Sequence, residues 1–270
     1  MCRPIPLPSA QTKRGHRRLS MGTVNARVLK TTITQRAVGY MTDKTAIRNA
    51  ATVILLRDQL ENPRVLMGQR GANAAFMPNK FVFPGGAVDA EDTNIALAAE
   101  IPQPCRARLS EDCADDISTP LCVAAIRELW EETGLILGHK APWSGAPPDA
   151  WRDFAAAEYV PSAENLQFVF RAITPPGRPR RFDARFFSVD ASHLANDIDD
   201  FSAASDELSH LQWVPLDKTR DFDLPFITEV VLAEISGRLT QTGAPASVPF
   251  FKNNDESSEM LRLRGYVLPD

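Results

Sequence analysis

The sequence predicts an α/β fold, a mixed β-sheet with helices on both sides, and three observations carry that expectation. Short apolar runs rich in β-branched and aromatic residues recur at residues 50–56, 64–70, 81–83, 181–189 and 211–214, the length and composition of strands. Residues 119–133 and 225–239 instead repeat their apolar residues at helical spacing. No internal repeat and no second apolar core divides the 270 residues, which is enough chain for one large domain with appendages.

Residues 1–42 form a basic leader. They carry Arg3, Lys13, Arg14, Arg17, Arg18, Arg27, Lys30 and Arg36 and no acid, so the rest of the chain is more acidic than the net charge of −4 shows. An acid-free leader with Arg and Ser suits a mitochondrial transit peptide or a nucleic-acid-binding arm. The simpler expectation is a start at Met21 or Met41, with the leader not native. Residues 43–244 are the expected domain. The run 50–56 is a buried strand, Asn62-Pro63 turns the chain, and 64–70 returns as its hairpin partner. A loop over 71–80 leads to the strand 81–83 and Pro84-Gly85-Gly86. Residues 95–99 read as a short helix, followed by an irregular Pro- and Asp-bearing stretch to Thr119, either a cover for a substrate or a disordered excursion. Residues 135–137 look extended, 149–157 and 162–170 look like short amphipathic helices, and 245–270 are a tail, packed at most as one strand.

Composition narrows the function classes. The 44% hydrophobic and 24% charged residues are ordinary for a globular protein. No apolar run approaches the ~20 residues of a membrane span. The four cysteines contain no CxxC pair and the four scattered histidines build no cluster, so neither a zinc ribbon nor a disulfide scaffold is indicated. A reduced, cytoplasmic protein is expected, with the mitochondrion as the alternative if the leader is a transit peptide. The chain ends Val267-Leu268-Pro269-Asp270, without a peroxisomal Ser-Lys-Leu-like signal.

The chemistry concentrates in residues 119–135. Thr119 is the expected N-cap, Pro120 suits the first turn and Gly134 suits the C-terminal stop. Val123, Ile126, Leu129, Trp130 and Thr133 turn one side to the core. Glu128, Glu131 and Glu132 stand at i, i+3 and i+4, on one face. An acidic face is most often solvated surface. Three carboxylates this close also repel, and a hard cation such as Mg²⁺, which takes oxygen ligands, would relieve them. Arg127 lies i, i+4 from Glu131, placed to orient it.

Phe83-Pro84-Gly85-Gly86 upstream makes the solvated reading less apt. Gly86, five residues and Asp92, with Arg127-Glu128-Leu129, Glu131-Glu132 and Gly134-Leu135, resemble the Nudix box. Thirty-four residues separate Asp92 from Arg127 where the family pattern has seven, an insertion of 27. The resemblance runs over roughly residues 46–240 and is to the coenzyme A diphosphatase-like branch with a long insertion in the box, the peroxisomal acyl-CoA diphosphatase type. Gly85-Gly86-Ala87-Val88-Asp89-Ala90-Glu91-Asp92 has that branch's form. Arg70, Gly71 and the Phe-Pro-Gly-Gly run stand in register with its coenzyme A signature, but Ala75 replaces the second Arg and Asn79 the Gly.

The resemblance implies a Nudix α/β/α sandwich with a mixed β-sheet and an insertion inside the box. It implies metal-dependent hydrolysis of a nucleoside-diphosphate-linked small molecule, here the diphosphate of coenzyme A or an acyl-CoA, with Mg²⁺ or Mn²⁺. Glu128 and Glu132 are the first expected ligands, then Glu131 and the Gly86 carbonyl. Arg70, Gly85 and Gly86 are expected to bind substrate, and Arg185 has a standing similar to Arg70. Arg127, Glu128, Glu131 and Glu207 are the expected catalytic set, with Glu128 or Glu207 as general base. Trp213 reads as core. The alternatives are an ADP-sugar, NADH or a nucleoside triphosphate as substrate, or a non-catalytic Nudix-fold ligand-binding module, which should have lost box acids that this chain keeps. The acidic balance argues against nucleic acid as partner. Relatives often form homodimers, but nothing in the sequence marks an interface.

Overall fold

The computed structural model describes residues 46–241 and 243–265. The expectations for the leader and for the last five residues lie outside them. In chain order the elements are β1 (Ile47–Arg57), β2 (Arg64–Arg70), β3 (Phe81–Val82), β4 (Gly85–Ala87), α1 (Gln103–Leu109), α2 (Ser118–Thr133), β5 (Gly138–Lys140), α3 (Arg152–Ala156), β6 (Tyr159–Pro161), β7 (Gln167–Ile173), β8 (Arg181–Asp190), β9 (Leu208–Pro215), α4 (Phe226–Ser236), β10 (Val248–Asn253) and β11 (Ser258–Leu263). Nine strands form one mixed sheet in the order β11-β10-β7-β8-β1-β2-β3, with β4 also on β1 and β9 also on β2, while β5 and β6 pair separately.

β1 runs through the middle, parallel to β8 and antiparallel to β2 and β4. Its side chains alternate between two cores, as a strand covered on both faces must. Ala51, Val53 and Leu55 face the core shared with Leu121, Ala125, Ile126 and Leu129 of α2. Ile54 and Leu56 face the core shared with Val231, Leu232 and Ile235 of α4. The result is an α/β/α sandwich, as expected.

Three stretches differ from the sequence reading. Residues 95–99 are not helical, because their backbone pairs elsewhere: Ala98 N–H donates to the Pro161 carbonyl at 2.8 Å, and Ala163 N–H to the Ala99 carbonyl at 2.9 Å. The helix falls at α1 instead, inside the stretch expected to be irregular, with Cys105 and Leu109 one turn apart in the core. Residues 162–170 contain no helix, and β7 begins at Gln167. Phe168 belongs to one core and Val169 and Phe170 to the other, with a bulge at 168/170. An apolar run buried on both faces carries no period that separates strand from helix. Finally, where at most one strand was expected after residue 245, β10 joins β7 and β11 joins β10.

Candidate metal and diphosphate site

α2 starts two residues earlier than expected. Ile117 holds the cap position, the Ser118 N–H donates to Asp116 Oδ1 at 3.1 Å, and Thr119 Oγ1 bonds Glu100 at 3.1 Å instead of capping the helix. Its C-terminal end is as expected: Gly134 is left-handed, with φ +72°. A Cβ there would lie 2.9 Å from Ala203, so both conformation and space call for glycine.

β4 brings the Gly85-Gly86 pair against the acidic face of α2. Ala51 pairs with Gly86 and Thr52 with Gly85. A Cβ on Gly85 would meet the Ala51 carbonyl oxygen at 2.4 Å, and one on Gly86 would meet the Glu128 carboxylate at 2.3–2.5 Å. The absence of side chains here is what lets helix and strand close on each other. The Gly85 N–H donates to Glu132 Oε2 at 2.7 Å, while Glu132 Oε1 is buried without a partner. Glu132 is 1% exposed.

Arg127 ties the acids together from beneath. Its Nε and Nη2 donate to the two oxygens of Asp92 at 2.9 and 3.0 Å, Nη1 to Glu128 at 2.8 Å and Glu131 at 3.2 Å, and Nη2 to the Ala87 carbonyl at 3.0 Å. Burial disfavours this guanidinium charge, but Asp92 and Glu128 outweigh it and hold the pKa above the usual value. Asp92 is itself buried, and its Oδ2 accepts the Asp89 N–H at 2.8 Å. The sequence marks Asp92 as a box acid; its service as the counter-ion of Arg127 is visible only in three dimensions.

One cation for several acids leaves the cluster under-neutralised. Burial pushes the Glu128 carboxyl up to about 7, against the pull of Arg127. Burial also raises Glu131, and burial followed by the charge of Glu128 raises Glu132 well above the carboxylate range. Among the described residues no three His, Cys, Asp or Glu side chains converge as a ready-made cation cage. Mg²⁺ ordinarily takes one or two carboxylates and completes its shell with water and substrate phosphate. The orphaned Oε1 of Glu132, beside Glu128 and Gly86, fits that requirement.

Arg70 and Glu207 pair with each other, Nη2 to Oε1 at 2.9 Å. The Glu207 charge raises Glu128 and Glu132, and the Arg70 charge lowers Glu132, so both lie beside the cluster. Arg185 does not resemble Arg70 in setting: it is 1% exposed and bound to Asp183 on the sheet face. Trp213 is core, its indole N–H bonded to the Ile198 carbonyl at 3.0 Å.

The segment between Asp92 and Arg127 lies against the sheet. Arg171 of β7 donates to the Glu111 and Asp112 carbonyls at 3.1 and 3.2 Å, and the Arg264 and Gly265 N–H groups bind the Glu111 carboxylate at 2.7 Å each. The segment is packed against the sheet and is not the disordered excursion that was one expectation; its anchors are on β7 and after β11.

No protein-family model matches the chain. It is 31% identical over 179 residues to a Caenorhabditis elegans protein named "Putative nudix hydrolase 7", covering 62% of this chain and 51% of that one. The chain thus spans about half the length of the curated relative it matches. It is also similar to the crystal structure of a NUDIX hydrolase from Alicyclobacillus acidocaldarius, 27% identical, covering 73% of this chain and 94% of that one with a TM-score of 0.56. The chain has the Nudix fold. In this Nudix-fold chain the box-like residues come from β4, the 3-10 turn at Ala90–Asn94 and α2. The Asp92–Arg127 pair closes them into one cluster across the 34 intervening residues.

Proposed function

We propose that the chain is a metal-dependent hydrolase of nucleoside-diphosphate-linked substrates. The carrying observation is Glu132, a carboxylate in the interior with one oxygen on the Gly85 N–H and the other without a partner. A buried carboxylate left this way is costly unless something positive completes it. Glu132, Glu128 and the Gly86 carbonyl would hold a divalent cation, with Glu131 the next donor. Such an ion, when bound, would neutralise the diphosphate and make an attacking water more acidic.

The chain's own residues supply the rest. Arg127 fixes Glu128 and Glu131 in place and is itself fixed by Asp92. The two glycines let β4 close on the acidic face of α2, which keeps the Gly86 backbone against Glu128. Arg70, whose Nε is buried and unpartnered, would exchange Glu207 for a substrate phosphate. That exchange frees Glu207 to accept a proton from water, and Glu128 is the alternative base. The P–O bond of the diphosphate then breaks as the water oxygen attacks in line.

Coenzyme A or an acyl-CoA is the substrate we favour. Its signature departs at Asn79, yet Asn79 has φ +60°, a conformation that glycine favours and asparagine tolerates. The Asn79 carbonyl accepts from Gln69 Nε2 at 3.0 Å, which ties the loop to β2. Ala75 supplies no second guanidinium, which keeps ADP-sugars and dinucleotides such as NADH as the second reading. The test is hydrolysis of coenzyme A, an acyl-CoA, ADP-ribose, NADH and a nucleoside triphosphate with Mg²⁺ or Mn²⁺. Release of a 3′,5′-bisphosphate and a phosphopantetheine supports the coenzyme A reading. A clear preference for another member discards it, and cleavage of none returns the chain to a ligand-binding module.

A further inference from the structure

The segment between the box halves walls an open polar cavity on the sheet, away from the glutamate cluster. It measures ≈ 190 Å³ and is lined by Asn49, Cys113, Ala114, Arg171, Asp183 and Arg185, with Asp112, Asp115 and Ile117 at its sides. That is about six times the volume share of one water, room for a phosphate group.

Register explains why these side chains meet. Arg171 of β7 lies opposite Arg185 of β8, and Asn49 of β1 lies opposite Asp183. All four lie on the α2 side of the sheet, past the end of its apolar core. In that position two guanidiniums share one carboxylate. Arg171 takes both oxygens of Asp183, at 2.9 and 2.7 Å, and Arg185 reaches one of them at 3.1 Å. Arg171 completes itself on the Glu111 and Asp112 carbonyls. Arg185 has only neutral partners beyond Asp183: Asn49 Oδ1 at 2.7 Å, the Asp183 carbonyl at 2.8 Å and Cys113 Sγ at 3.3 Å. Its Nε is buried with no partner. Burial, joined by the Arg171 charge, holds the Arg185 pKa below its usual value even with Asp183 present.

The other acids of the cavity do not cancel this excess at the floor. Asp112 is held by Lys252 at 2.6 Å, and Asp115 is exposed at the mouth. A buried cation without full compensation is unfavourable, and an anion supplied from outside would complete it.

We propose that this cavity is an anion site that binds a phosphate group on Arg185, walled by residues 112–117 of the inter-box segment. The phosphate is either free in solution or a further phosphate carried by the substrate. Residues 112–117 run directly into α2, so occupancy would also hold the helix that carries Glu128 and Glu132 in register with the sheet.

The test uses the full chain in EDTA, with inorganic phosphate as probe and chloride at equal ionic strength as control. Phosphate should raise the wild-type unfolding temperature by a few degrees near saturation. Ala114→Trp, which fills the cavity from an exposed wall position, should remove that rise while leaving the unfolding temperature in chloride near wild type. Arg185→Lys, which keeps the charge but loses the planar fork, should raise the phosphate midpoint about tenfold or more. To locate the source, hydrolysis of coenzyme A is compared with that of its 3′-dephospho form. A rise in KM confined to coenzyme A in Ala114→Trp assigns the phosphate to the substrate, and unchanged kinetics for both assign it to free phosphate. No phosphate effect on the wild type, or the same effect in both variants, overturns the proposal. Because the binding measurement needs neither metal nor turnover, its failure is separate from any failure of the hydrolase reading.

Discussion

Gly86 and Glu128 compete for one place. A methyl group on Gly86 would sit 2.3–2.5 Å from the Glu128 carboxylate, which must then swing away. The displaced group is the end of a flexible side chain, so the fold should tolerate it while the chemistry should not. Gly86→Ala is expected to lower kcat about 100-fold, the scale of an ångström of misplacement, with little change in denaturant midpoint. A second consequence follows from the Glu128 pKa, raised by burial from 4.5 to about 7. Across that window the folded protein keeps a proton that the unfolded chain has released. By linkage, this group's contribution to stability falls as pH rises from about 4.5 to about 7. In EDTA, Glu128→Gln should therefore gain on wild type over that range, read as the difference between their unfolding temperatures at each pH. A gap that stays flat or reverses would contradict the burial argument. The carboxylates and glycines were legible from their spacing. Of the charge network only the Arg127–Glu131 contact was, because Asp92 meets Arg127 only after the intervening segment folds back.

At the scale of elements, α2 is held at the foot of its acidic face by the Asp92–Arg127 pair, 1% and 6% exposed. Removing one partner of such a pair leaves a buried charge unsatisfied and costs about 3–5 kcal/mol. Asp92→Ala should show that loss in urea unfolding and should also loosen Glu128 and Glu131, lowering kcat. Asp92→Asn, which keeps the shape, should lose less stability. Retained stability in Asp92→Ala would mean that Asp89, 3.8 Å from Arg127 Nη2, takes over. Helix α2 was readable from its period and from Gly134, β8 from its alternation, and β1 and β2 because Asn62-Pro63 separates two short β-branched or apolar runs. β7 was not, since its apolar residues divide between two cores and mimic a helical run. Residues 95–99 misled for the opposite reason: good helix formers whose backbone hydrogen bonds are taken by residues 161–163. Local propensity loses when a tertiary partner is better placed.

Across the whole molecule, the sheet is longer than the sequence suggested, and the chain between the two box halves is anchored to its added edge. Arg171 links β7 to Glu111 and Asp112, and Lys252 of β10 holds Asp112. Arg171→Met should release this segment first, so limited proteolysis should cut within residues 103–117 before the rest of the domain. Cleavage no faster than in wild type would show that the segment does not depend on that anchor. The sandwich class was legible because both faces of β1 demand cover. The β10–β11 edge was not, since five exposed residues in a row in β11, ending on the buried Leu263, give no strand period.

The most direct measurement is the Mg²⁺ dependence of kcat/KM for the best-cleaved diphosphate substrate, wild type against Glu132→Gln. The amide keeps the shape and the contact to the Gly85 N–H but loses the charge that would hold the ion. A loss of about 100-fold or more, with the Mg²⁺ requirement shifted to much higher concentration and the fold intact, is the predicted result. Equal activity and equal Mg²⁺ dependence in the two proteins would contradict the assignment of Glu132 and of this cluster as the catalytic centre.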